Sequence, residues 1–288
     1  MKRIAILGCE NSHADAFLAC IKNNEKYSDV EVVGVYSEEA EAPVKLKEKY
    51  GVEILPTPDA ALGKIDGLMI TARHGAKHYE WAKLYTKSGI PMFIDKPITA
   101  SEEDAVALAK DFVENKVRFV GGSSVIHAPA LVELAKTVSE IPEEDIYGGF
   151  FRAPISPNSP YGGFSFYSAH LIALMTKTLG NYPDSVIAER HGDKFSGIVS
   201  YGNKKAHISY TDDSWAYYAY VSHKNGFVGG EVALTDVYQS EFDEFYELLC
   251  GGEGKYSIED FTAPVFIMCA IERAAKSGKC EKVTKLEL

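Results

Sequence analysis

The sequence predicts an α/β chain: a doubly wound parallel sheet first, then an α+β domain built on a mainly antiparallel sheet. Up to about residue 121, short apolar runs alternate with helical patterns at the spacing of strands joined by crossover helices. Beyond that point, strand-like runs are parted by turn pairs such as Gly202-Asn203 and Asn225-Gly226, as in hairpins. A chain of 288 residues is long enough for two cores. The expected domains are therefore 1–121 and 122–288.

Residues 4–7 form the first apolar strand, and Gly8 to Ser12 turn into a helix whose apolar side runs through Ala16, Phe17 and Cys20. A second strand at 30–36 precedes a charged helix that stops near Gly51, and 52–55 read as a third strand before Pro56. Strands at 65–71 and 91–94 flank a helix at 78–88 closed by Gly89, which suits a left-handed C-terminal cap. Ser101 is an N-cap followed by a first turn of acids, and 117–120 close the series. The second domain is expected to hold helices at 130–139, 167–179, 241–249 and 264–277. Its strand-like runs lie at 146–152, 185–190, 195–201, 206–210 and 215–222.

A formal net charge of −11 disfavours nucleic acid or an anionic membrane as partner, because both reward clustered Lys and Arg. Five cysteines without CxxC spacing suit reduced thiols, and the first apolar run is too short for a signal segment or a span. A cytoplasmic protein acting on a small molecule is the expectation. His13, His74, His78 and His127 lie on separate loops without tight ligand spacing, so no metal site is expected.

The turn after the first strand can be compared with the dinucleotide fingerprint, in which three glycines admit a pyrophosphate to a helix N-terminus. Only Gly8 is in place; Glu10 and His13 stand at the other two positions, while Asn11 and Ser12 offer donors or a cap. The second strand ends on Ser37 where an acid usually holds the adenosine ribose, which leaves NAD and NADP both open. The apolar run Met92-Phe93-Ile94 ends on Asp95-Lys96-Pro97, because proline has no N–H for the ladder. In an open parallel sheet the ligand crevice lies beyond such strand ends, so a charged pair is delivered there.

Thr71-Ala72, His78, Gly89 and Asp95-Lys96-Pro97, at their spacings, resemble the Gfo/Idh/MocA family of NAD(P)-dependent oxidoreductases. Ala72 replaces the family's proline, Asp95 its glutamate, and about two residues are added before His78. Pro129, Ile146-Tyr147-Gly148, Gly162-Gly163 before His170, and a closing helix over 263–278 extend the resemblance along nearly the whole chain. It implies an N-terminal Rossmann domain for NAD or NADP and a C-terminal sheet domain for substrate, with homo-oligomer formation through that sheet. It further implies Lys96 and His170 as catalytic residues, with Gly8, Asn11, Ser12, Ser37, Thr71, Ala72, His78, Asp95 and Lys96 around the cofactor. Where the family carries an aspartate four residues before the histidine, this chain has Phe166, so nothing evident orients the imidazole. The implied activity is hydride transfer between NAD(P) and a hydroxyl or ketone of a small sugar- or polyol-like substrate. The alternative is a non-catalytic member that binds a nucleotide or sugar derivative as a sensor or regulatory subunit.

Overall fold

In the computed structural model, which describes all 288 residues, the chain divides into two compact units. The first comprises Met1–Gly122 and Tyr238–Phe261, together with Leu288; the second comprises Ser123–Val237 and Thr262–Glu287. Residues 238–261, which the sequence assigns to the second domain, thus pack with the first. Their aromatic side chains find the open face of its sheet.

The first unit runs β1 (Lys2–Leu7), α1 (Ser12–Asn23), β2 (Val30–Tyr36), α2 (Glu41–Tyr50), β3 (Gly67–Ile70), α3 (Ala76–Ala82), β4 (Met92–Asp95), α4 (Glu102–Glu114) and β5 (Phe119–Gly122). These strands form a parallel sheet in the order β2-β1-β3-β4-β5. The run at 52–55 is not one of them. It makes a single parallel bridge, Ile54 opposite Val35, because the segment is short, half-exposed and stopped by Pro56. β3 and β4 are buried throughout, as expected of strands covered on both faces. α4 begins as the sequence predicts, with the Asp104 N–H donating to Ser101 Oγ at 3.1 Å.

The second unit contributes α5 (Pro129–Ser139), β6 (Ile146–Pro154), α6 (Ser165–Leu179), β7 (Ser185–His191), β8 (Lys194–Tyr201), β9 (Lys204–Thr211), β10 (Tyr218–His223) and β11 (Gly226–Glu231). The chain ends with α7 (Val237–Leu249), α8 (Ile258–Ser277) and β12 (Glu281–Lys282). The seven-stranded sheet has the order β11-β10-β6-β9-β8-β7-β12, and only the β6–β9 pair is parallel. α6 is apolar nearly all round and lies against β6; the Tyr210 hydroxyl donates to the Ser168 carbonyl at 3.0 Å. Trp215, Ala216 and Tyr217 precede β10, so the run at 215–222 is only partly a strand, and β11 is an additional hairpin partner. No helix is long and apolar enough to cross a membrane.

α7 is the element that closes the first unit. Its Phe242, Phe245 and Leu248 join Ile4, Ile6, Phe17, Tyr27, Met69 and Phe93 in one core. Phe242 meets Tyr27 edge-on at 4.8 Å, a favoured ring geometry. At its C-terminal end the Arg118 guanidinium donates to the carbonyls of Leu248 (2.9 Å) and Gly252 (2.7 Å), satisfying a carbonyl that the helix leaves open. A Cβ on Gly67 would lie 2.4 Å from Leu249 Cδ2, so a larger residue there would have to displace that side chain. Phe242→Ala is expected to destabilise the first unit by about 3–5 kcal/mol in urea unfolding, through lost burial and a residual cavity. A loss below about 1 kcal/mol would show that α7 is not part of this core.

Candidate active site

The turn after β1 is built by close backbone approach. Gly8 has φ +87°, and a Cβ there would lie 2.2 Å from the Ala72 nitrogen, so no larger residue fits. Thr71 Oγ1 donates to the Gly8 carbonyl at 2.9 Å, tying the end of β3 to the turn. Asn11 caps α1: its Oδ1 accepts from the N–H groups of His13 (2.8 Å) and Ala14 (3.3 Å). Its Nδ2 donates to the Thr71 carbonyl at 2.5 Å and reaches Asp95 Oδ2 at 3.4 Å. Ser12 is exposed at the first position of α1.

Glu10 lies across the strand ends. Its Oε1 accepts the Arg73 N–H at 2.8 Å and its Oε2 accepts the Ser37 hydroxyl at 2.7 Å. Ser37 is thus where the sequence put it, at the end of β2, but its hydroxyl is held by Glu10. Beside the turn opens a cleft of about 340 Å³, lined by Glu10, Asp15, Glu39, Glu41, Lys45 and Arg73 among others.

At the end of β4, Asp95 is fully buried. Its Oδ1 accepts the Lys96 N–H at 2.6 Å, and its Oδ2 lies 2.6 Å from Nδ1 of His13. That second approach is too far off-axis to count as a hydrogen bond. Burial by itself would raise the Asp95 carboxyl; His13, with Lys96 and His78 behind it, outweighs this and holds it at about 2. His13 therefore does not merely spoil a glycine position. Its ring lies beside the Asp95 carboxylate and packs on Tyr238 at 4.8 Å.

Lys96 is 5% exposed, and burial pushes its ammonium toward the neutral amine, partly offset by Asp95 and Glu241. His78, expected beside a cofactor, is instead wholly interior. Nδ1 lies 2.6 Å from the Pro97 carbonyl and Nε2 2.9 Å from that of Ala72, so it braces the Asp95-Lys96-Pro97 turn against the end of β3. Burial favours its neutral form, which has one N–H to offer these two acceptors. Thr71 and Ala72 are likewise buried and act as framework.

In the second unit His170 is 4% exposed on α6, with Nδ1 2.8 Å from Ser123 Oγ. Tyr167 and Tyr217 meet its ring edge-on at 5.0 and 6.0 Å. Ser123 thus takes the orienting place that Phe166 cannot fill, and nothing local in the sequence signals a partner 47 residues away. A hydroxyl can donate or accept, so it supports either neutral tautomer of the imidazole. No group of three His, Cys, Asp or Glu side chains is arranged to hold a metal ion.

Comparison with known proteins bears on this arrangement. Residues 2–123 match the GFO_IDH_MocA family, described as an oxidoreductase family with an NAD-binding Rossmann fold. Residues 2–123 belong to the Gfo/Idh/MocA family. Over the whole fold, the chain is similar to myo-inositol 2-dehydrogenase from Lactobacillus plantarum, with TM-score 0.83, 16% identity, and 98% of this chain and 99% of that one covered. It is also similar to scyllo-inositol dehydrogenase from Lactobacillus casei (TM-score 0.84, 13% identity, 98% of each chain). GenD2 from gentamicin A biosynthesis, solved in complex with NAD, gives TM-score 0.82 and 14% identity, covering 98% of this chain and 96% of that one. No curated protein matches.

The turn of this Gfo/Idh/MocA domain can be tested against a dinucleotide through its donors. The Arg73 N–H and the Ser37 hydroxyl already hold two anionic oxygens, those of Glu10, and the cleft continues beside them. The donor set therefore fits the phosphate and ribose oxygens of a dinucleotide, provided the Glu10 side chain turns aside.

The Asp95 carboxyl has a folded value of about 2 against an ordinary 3.8. Its charge therefore contributes stability that is full above about pH 4 and is lost as pH falls toward 2, amounting to about 2 kcal/mol. Urea unfolding of the wild type between these pH values should show that loss, and Asp95→Asn should lack it.

Proposed function

We propose that this Gfo/Idh/MocA protein is an NAD-dependent dehydrogenase that oxidises a hydroxyl-bearing carbon of a small polyol or sugar-like substrate. The observation that carries the proposal is the buried Lys96 at the carboxyl end of β4, held beside the Asp95–His13 pair in an NAD-binding domain. The inositol dehydrogenases among the similar structures support a cyclic polyol as the substrate class. Bound NAD supplies the hydride acceptor.

Lys96 contacts the reacting oxygen, and burial lowers its basicity, which eases release of a proton from its ammonium. His170, steadied by Ser123, acts as the second acid–base group. Gly8 gives the close approach, while Asn11, Ser12 and Ser37 face the cofactor from the turn and the end of β2. NAD is preferred to NADP, because around the cleft the acids Glu10, Asp15, Glu39 and Glu41 outnumber the cations Lys45 and Arg73 and disfavour a ribose phosphate. A second copy of the chain covers the outer face of the second unit's sheet. There Tyr220, Phe150, His207, Ile198 and Ile187 form one cross-strand row, with Phe150, Ile198 and Ile187 exposed at 41, 37 and 50%.

One observation favours a second reading, a non-catalytic binding protein: Glu10 holds donors that a cofactor would need. Titration with NADH and NADPH, followed by nicotinamide fluorescence, separates the two. NADH is expected to bind at least about tenfold more tightly, a difference of about 1.4 kcal/mol; binding of neither supports the second reading. With inositol-type polyols and NAD, Lys96→Ala should abolish turnover while NADH affinity stays within about threefold, under 1 kcal/mol. His170→Ala should lower kcat by about 10²–10⁴-fold. Unchanged turnover in the Lys96 variant would overturn the assignment.

A further inference from the structure

The second unit exposes an aromatic side chain that the chemistry above leaves unused. Trp215 is 66% exposed, whereas Tyr217, Ala219 and Val221 after it are buried. The sheet pairing of β10 runs on to Tyr217, whose carbonyl accepts the Val232 N–H at 2.8 Å. Tyr217 meets His170 of α6 at 6.0 Å and Trp215 meets Tyr167 of the same helix edge-on at 5.4 Å. Both rings therefore lie on the side of the sheet that α6 covers. The outer row takes Tyr220 from this strand, and side chains alternate along it, so Trp215 is not part of that row.

Trp215 is the outermost ring of a continuous series. Tyr161 lies 5.6 Å from Phe166, Phe166 5.2 Å from Tyr167, and Tyr167 5.4 Å from Trp215, while Tyr167 also meets the His170 imidazole at 5.0 Å. None of these four rings is buried, although Phe164 beside them packs into the core on Phe195 and Tyr210. Folding alone would bury such rings, and a contiguous exposed apolar patch marks a place where something binds. The series carries no formal charge, since Phe166 stands where an aspartate is expected, so an ionic ligand gains nothing from it. A six-membered ring with hydroxyls around its rim has a face made of C–H bonds, and that face matches a flat indole. An open-chain polyol has no such face.

We infer that Trp215, seated on Tyr167, is a platform for the C–H face of a six-membered sugar or cyclitol ring, whose hydroxyl is presented to His170. This rests on the reading of the chain as a polyol dehydrogenase in which His170 is an acid–base group. Trp215 binds and selects the substrate and takes no part in the proton or hydride steps. Its consequence is a preference for rings over open chains.

Fluorescence tests the platform on the wild-type protein. The chain has two tryptophans, and the other, Trp81, is only 2% exposed, so acrylamide quenching reads Trp215; Trp215→Phe should remove the quenchable emission. With NAD at a fixed concentration, myo-inositol and methyl β-glucopyranoside are each expected to lower the quenching constant at least about twofold, while sorbitol at the same concentration leaves it unchanged. No shielding by either ring, or equal shielding by sorbitol, overturns the proposal. Shielding that grows with protein concentration alone assigns Trp215 to a contact between chains and overturns it too. In steady state, Trp215→Ala should raise KM for the ring substrate about tenfold with kcat within about threefold, and Trp215→Phe should recover most of that loss. An unchanged KM in the alanine variant counts against the platform. If the wild type oxidises neither ring, the dehydrogenase reading fails; the shielding measurement needs no turnover, and repeated without NAD it still decides whether Trp215 holds a ring.

Discussion

A charged carboxylate at zero exposure is tolerable only if every oxygen has a partner, and Asp95 meets that condition through two separate parts of the chain. The Lys96 amide holds one oxygen from within the turn, while His13 and Asn11 approach the other from the start of α1. The ends of β1 and β4 are thereby locked together with β3 between them. His78 and Thr71 complete the lock from the β3 side, using backbone carbonyls as acceptors. The orientation of Lys96 depends on this joint, because its backbone is fixed by the carboxylate that precedes it.

The second constraint is the return of α7 to the first unit. A parallel sheet needs both faces covered, and the helices supplied by residues 1–122 leave room beside α1. Phe242, Phe245 and Leu248 fill that room, and Tyr238 closes over His13. The same helix buries Glu241, whose carboxylate oxygens have no hydrogen-bond partner.

In the second unit, His170 shows how one local change is absorbed by a distant one. Phe166 cannot accept a hydrogen bond, and it packs instead on Tyr161 and Tyr167. Ser123, just after β5, supplies the oxygen. That contact holds the ring in one orientation.

By itself the sequence determined the alternation of strands and helices, the caps at Ser101 and Gly89, the tight turn at Gly8 and the strand end at Asp95-Lys96. Each of these rests on local backbone chemistry or on periodicity, which is written in consecutive residues. The tertiary structure alone decided the neighbours of His13, His78 and Ser123, the burial of Glu241, the reduction of 52–55 to a bridge, and the placement of 238–261. His13 reads as a missing glycine, Ser123 as a loop residue and Glu241 as one more acid on an amphipathic helix. The surroundings of each are set by residues far along the chain, and such neighbours leave no periodic trace, since burial makes them matter only once the core has closed.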